Sequence, residues 1–176
     1  MKLAHLSGKT IAIMVASGFD ETTFVGIQRA MMEAEAKLKI VSREAGLTNA
    51  WRGTGWGMSY PADARLSTAL AIDYDGLIIP AGKRHIDTLK NEAHAKRVLR
   101  AFLREDMPVM LQGEATAMLR LIDGMADHPQ ATVNEVGRRP VVNGRLVTTD
   151  VTGDDLAELE AFDSVFESVF SESYAA

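Results

Sequence analysis

Pro108-Val-Met-Leu-Gln-Gly-Glu-Ala-Thr-Ala-Met-Leu119 changes its periodicity half-way along, and that change decides the fold class. Val109 to Gln112 form an apolar-rich run that reads as a short strand, and Gly113-Glu114 interrupt it. Ala115, Met118 and Leu119 then recur at helical spacing. A strand that ends in a sharp turn at a helix start is where α/β enzymes mount a reactive side chain, because the turn projects it over the first free N–H groups of the helix. Here the residue at the tip, Gly113, has no side chain to mount.

The same alternation repeats on either side of this stretch. Asp75 to Pro80 is another apolar strand, followed by helical segments around Ile86–Leu89 and Ala93–Leu103. Thr10 to Ala16 is a continuous apolar run closed by Ser17-Gly18, the pattern of a strand buried on both faces of a parallel sheet. Asp20, Glu21 and Thr22 or Thr23 supply acceptors and negative charge for a helix start. Phe24, Ile27, Ala30, Met31 and Ala34 form that helix's buried stripe, and it is expected to end near Lys37, before a strand over Leu38–Ser42. Downstream, Pro140 to Thr148 carries Asn143-Gly144 between apolar runs, a strong hairpin signal, and Asp154 to Phe170 predicts a last amphipathic helix. Right-handed crossovers turn such alternation into a flavodoxin-like, doubly wound, mostly parallel sheet sandwiched by helices, with a C-terminal β-hairpin. The 176 residues, 47% of them hydrophobic, suit a single domain over 1–176. Ala45 to Tyr60 departs from the pattern: four glycines and both tryptophans predict a loop or small hairpin, acting as a lid or an interface.

Composition narrows the chemistry. The chain contains no cysteine, which excludes disulfides, thiolate metal ligands and a thiol nucleophile. With 19 Lys+Arg against 24 Asp+Glu the net charge is −5, and no basic run stands out, so no nucleic-acid partner is expected. The first residues lack a signal-peptide apolar region and no apolar run approaches the ~20 residues that span a bilayer, so no membrane partner and a cytoplasmic location are expected. Ser7-Gly8-Lys9-Thr10 ends like a phosphate loop but has Leu3 in place of its first glycine, and it precedes a strand. No G-x-S-x-G occurs, and His5, His85, His94 and His128 have no metal-ligand spacing; neither a metal nor a cofactor is expected. The methionines fall mostly at core spacing.

Four ordered segments resemble the PfpI/ThiJ superfamily of glutamine-amidotransferase-like proteins. They are Val15-Ala-Ser-Gly-Phe-Asp-Glu-Thr-Thr23, Asp73-Tyr-Asp-Gly-Leu-Ile-Ile-Pro-Ala-Gly82, Met107-Pro-Val-Met-Leu-Gln-Gly-Glu-Ala-Thr116 and Pro140-Val-Val-Asn-Gly-Arg-Leu-Val-Thr-Thr149. The resemblance covers most of the chain and implies the flavodoxin-like fold and a homodimer. It also puts Gly113 at the family's catalytic cysteine and Glu114 at the adjacent histidine, while Asp20 and Thr23 occupy its two flanking acidic positions. Ala81 stands at the first oxyanion-loop glycine, followed by Gly82 and Lys83, and the segment Gly124–Arg139 is shorter than its counterpart. The Gly113-Glu114-Ala115 elbow is similar to the cysteine-free elbow in the C-terminal domain of large-subunit catalases.

Three readings of function follow. In the first, the chain is a non-catalytic relative that binds a small molecule or serves as a stress-related module. In the second, Glu114 and Asp20 share the cleft as proton donor and acceptor and run a hydrolase or lyase with water in place of the thiol; otherwise each carboxylate caps its own helix. In the third, the chain is a structural homodimer whose interface is Ala45–Tyr60 or the helices beside the elbow. His85 either lines the cleft or is a surface or capping residue, and Lys83-Arg84 either bind an anion at its mouth or are solvated charges.

Overall fold

The computed structural model describes residues 3–122, 140–149 and 155–175; the segment Gly124–Arg139, His128 and Asp154 lie outside them. In chain order the elements are β1 (Thr10–Val15), β2 (Phe19–Asp20), α1 (Glu21–Glu33), β3 (Lys37–Ser42), β4 (Leu47–Trp51), β5 (Trp56–Pro61) and β6 (Ala64–Arg65). They continue with β7 (Gly76–Ile79), α2 (Lys83–Leu89), α3 (Ala93–Arg104), β8 (Val109–Leu111), β9 (Val141–Asn143), β10 (Leu146–Thr148) and α4 (Asp155–Ala175).

A seven-stranded sheet has the order β6-β3-β1-β7-β8-β10-β9. All its pairings are parallel except β9 with β10. Taken without the edge strands, this is the doubly wound order in which β1 is the first strand and the chain then builds outward on both sides. The expected flavodoxin-like architecture is therefore the observed one. The continuous apolar runs are explained by burial on both faces. Ile11, Ile13, Val15, Ile78, Met110 and Val147 point into a layer with Phe24, Ile27 and Met31 of α1 and Leu159, Phe162 and Phe166 of α4. Their neighbours Ala12, Met14, Leu77, Ile79, Val109 and Leu111 face Leu89 of α2, Val98, Leu99 and Phe102 of α3, and Met118.

Several local expectations shift. Helix α1 stops at Glu33 instead of near Lys37, since Glu35 takes φ 60° and turns the chain so that Lys37 pairs with Thr10. The segment after the elbow, Gly113–Leu121, is a 3₁₀ helix, which carries Ala115 and Met118, three residues apart, onto one buried face. The C-terminal hairpin forms, with Asn143 paired to Leu146, so its two-residue loop is Gly144-Arg145 and the φ of +61° falls on Gly144. Ala45–Tyr60 is a hairpin, β4–β5, and it belongs to a separate three-stranded sheet through β2, a strand too short to show a period of its own. No helix among the described residues is long and apolar enough to cross a membrane.

Candidate functional site

The cleft lies at the carboxyl ends of β1 and β7, where the strand order reverses direction, the place where open α/β sheets bind ligands. It encloses about 440 Å³. Gly18 follows β1, Asp20 and Thr23 start α1, Ala81 to Arg84 follow β7, Glu114 comes from the elbow, and Trp51 and Gly53 come from the hairpin.

Gly113 sits at φ +52°, in the left-handed region that costs a side-chain-bearing residue energy and glycine almost nothing. Its N–H donates to Thr149 O at 3.1 Å, so the elbow tip is tied to the residue that follows β10. The preceding Gln112 donates through Nε2 to Glu158 Oε2 of α4 at 2.7 Å. Glu114 turns its carboxylate toward the loop after β7, where Oε2 accepts the Gly82 N–H at 3.1 Å. That N–H is one of the backbone donors which the resemblance assigns to an oxyanion.

Asp20 is the N-cap of α1. A single oxygen, Oδ2, accepts both the Thr23 N–H at 2.9 Å and the Thr23 hydroxyl at 2.5 Å. Thr23, at the family's second acidic position, thus serves as donor to the first. The loop after β7 meets this cap backbone to backbone, with Asp20 N donating to Ala81 O at 3.0 Å. Gly82 makes the approach possible: at φ +139°, a Cβ here would stand 2.8 Å from Asp20 N and 2.9 Å from Phe19 Cα.

His85 neither lines the cleft nor reaches the surface. It is completely buried beneath the cleft, its Nε2–H donating to Pro80 O at 2.6 Å and its Nδ1 accepting Ala16 N–H at 3.5 Å, a tautomer assigned from those partners. Burial pushes the imidazole down to about 4, against a smaller upward pull from the Pro80 bond and from the Glu44 and Asp20 carboxylates. The ring is therefore neutral near pH 7 and clamps the ends of β1 and β7 together.

At the rim, Lys83 is exposed and pairs with Asp87 at 2.9 Å, one turn along α2. Arg84 stacks its guanidinium 3.8 Å above the Trp51 ring, and Trp56 meets Trp51 edge-on at 5.3 Å. A second tie fixes the hairpin to α1, since Glu21 accepts Arg52 Nε at 2.8 Å and Met58 N–H at 2.7 Å. The Met58 N–H first, and Arg52 second, hold the Glu21 carboxyl below its ordinary value. The tryptophan segment is thereby placed as a wall of the cleft. Replacing Arg84 with alanine is expected to remove about 0.5–1 kcal/mol of this attachment. Hydrogen exchange should accelerate in β4 and β5 while β1 and β7 stay protected; unchanged hairpin exchange would show that the stack does not hold the wall.

A model of the DJ-1/PfpI family matches residues 9–160. The chain belongs to the DJ-1/PfpI family. General stress protein 18 of Bacillus subtilis is 24% identical over 161 residues, covering 85% of this chain and 92% of that protein. Catalase HPII of Mycobacterium avium is 23% identical over 155 residues, covering 87% of this chain but 20% of the catalase. Among solved structures, a two-domain protein from Anabaena variabilis with DJ-1/ThiJ/PfpI-like and ferritin-like domains superposes with TM-score 0.73 at 18% identity, over 93% of this chain and 48% of that one. The fold is thus that of the family.

Within this DJ-1/PfpI cleft, Asp20, Thr23, Ala81, Gly82, Lys83 and Glu114 are brought together as lining residues, whereas Gly113 sits buried behind them and His85 below. Gly18, Trp51, Gly53 and Arg84 complete the lining. The Trp51–Arg84 stack had only a compositional signal, two tryptophans among glycines, with nothing to link it to a residue 33 positions away. Among the described residues no group of three or more His, Asp or Glu side chains could hold a metal ion.

Proposed function

We propose that this chain is a non-catalytic member of the DJ-1/PfpI family that binds a small polar molecule in the cleft between Trp51, Arg84 and Glu114. The observation that carries the reading is the Glu114 carboxylate on the Gly82 N–H at 3.1 Å. A donor that would stabilise a developing oxyanion is already taken by an anion of the chain itself, opposite an elbow tip without a side chain. Three further features support the same reading. Asp20 spends one oxygen on capping α1, Thr23 is a donor to it, and both ring nitrogens of His85 are engaged below the cleft. The rim offers a flat aromatic face and cationic groups, and the floor offers carboxylates, a lining suited to a small ligand with both polar and planar parts. The similarity to a protein named for general stress fits a stress-related binding module in the cytoplasm. A homodimer belongs to the same proposal, and Leu47, Trp56 and Met58 of the β4–β5 hairpin, each more than half exposed, supply apolar surface for it.

Asp20 and Glu114 line one cleft, so the carboxylate-based hydrolase or lyase is the competing reading. The deciding experiment is turnover of small amides, esters and α-oxoaldehydes by the wild type with Glu114→Gln in parallel. Neither protein is expected to exceed the uncatalysed rate. Turnover by the wild type that disappears in Glu114→Gln would replace the binding module with an enzyme.

A further inference from the structure

A larger depression lies at the other end of the strands. It is a groove of about 800 Å³ between α3 and the turn that leads into β7. Its residues enter β7 and β8 from their amino ends, so it shares none of the residues of the cleft. One wall is the turn Leu70-Ala71-Ile72, in which Leu70 is 52% and Ile72 85% exposed. The other is the face of α3 with Arg97, Arg100, Ala101 and Arg104, and Glu105 and Met107, which follow α3, complete the lining.

The charge of α3 is opposite in sign to that of the chain as a whole. The net charge is −5, yet α3 carries Lys96, Arg97, Arg100 and Arg104 and no acidic residue. Arg97 is committed to structure: its Nη2 donates to the carbonyls of Leu66, Ser67 and Ala69, at 3.3, 3.4 and 3.1 Å, and so holds the opposite wall in place. Arg100 has no carboxylate within ion-pair distance among the described residues, and the only one near Arg104 is its neighbour Glu105, at 3.7 Å. Two guanidiniums one helical turn apart therefore stand beside exposed aliphatic side chains on a preformed wall. The arrangement is complementary in charge to an acid group and in polarity to a short hydrocarbon, and the volume is that of a small-molecule site.

We propose that this groove is a second binding site, for a small anionic amphiphile whose acid head pairs with Arg100 and Arg104 while its apolar body lies over Leu70, Ile72 and Met107. Binding removes exposed aliphatic surface from water at the same time as it gives Arg100 an acid partner and Arg104 a second one beside Glu105, and each contribution needs the other half of the ligand.

Titration calorimetry of the full chain with decanoate tests this, with acetate and 1-decanol as probes that lack the tail or the charge. Saturable decanoate binding is expected, at least tenfold tighter than either control. The double variant Arg100→Gln/Arg104→Gln should weaken it at least tenfold and remove most of its salt dependence, and Ile72→Glu should weaken it to a similar degree. All three positions are exposed, so the variants should keep the wild-type circular dichroism and melting temperature. Arg84→Ala and Glu114→Gln should leave decanoate binding unchanged, which separates this groove from the cleft. Absence of saturable binding, equal binding of 1-decanol, or undiminished binding by the double arginine variant would overturn the proposal. Light scattering on the same samples adds one more outcome: if decanoate acted only by dissociating a dimer, the groove would be an interface between copies and the ligand site would be refuted.

Discussion

Gly82→Ala is expected to destabilise the protein by about 2–4 kcal/mol, combining left-handed backbone strain with a clash that no rotamer relieves. A Cβ on Gly82 would meet Asp20 N at 2.8 Å and Phe19 Cα at 2.9 Å, both backbone atoms, together with His85 Cδ2 at 2.9 Å. Phe19 and His85 are fully buried, so the loop has nowhere to retreat without parting β7 from the start of α1. Urea unfolding supplies the measurement. The matching control is Gly46→Ala, where φ is +86° but nothing lies within 4 Å of the added atom, and where the loss should be close to strain alone, about 1 kcal/mol. If the two variants cost the same, the close packing of the Ala81-Gly82 loop on Asp20 does not contribute to stability, and the fixed position of the Gly82 N–H against Glu114 loses its support.

The second large effect is on pH dependence. His85 titrates near 6.5 in the unfolded chain and is held down to about 4 in the folded one, chiefly by burial. Between these values the unfolded state binds the extra proton, so stability falls as the pH is lowered. The contribution is fully present above pH ~6.5, is lost progressively down to pH ~4 and changes no further below that, for a total of about 3 kcal/mol. Urea unfolding at several pH values between 7.5 and 4 should show a steeper decline for the wild type than for His85→Gln, whose amide can still donate to Pro80 O. The variant should be the less stable protein at pH 7, and its deficit should shrink toward pH 4. Parallel declines would mean that His85 is accessible to protons in the folded state.

Much of this molecule could be read from its sequence because local chemistry dictates it. The run at Thr10–Ala16 has the pattern of a strand buried on both faces, Asp75–Pro80 that of an apolar strand, and the buried positions of α1 and α4 recur at helical spacing. Asp20 stands where a side chain of its type caps a helix, and it does so. The strand β2 is not legible in the sequence because two residues have no period, and it is defined by its pairing with β4. The 3₁₀ geometry after Gly113 is not legible either, because residues three apart share a face in both kinds of helix.

Residue type and short-range spacing are enough to specify the doubly wound alternation of strands and helices and an elbow tip without a side chain. What the remaining polar groups do depends on packing between segments far apart in the chain. Glu114 finds the Gly82 N–H across 32 residues, His85 is drawn beneath the cleft instead of into it, and Arg84 brings the tryptophan hairpin over the rim. Those outcomes depend on which backbone atoms and rings the packed sheet leaves within about 3–4 Å of one another. Local periodicity carries no information about distances of that kind.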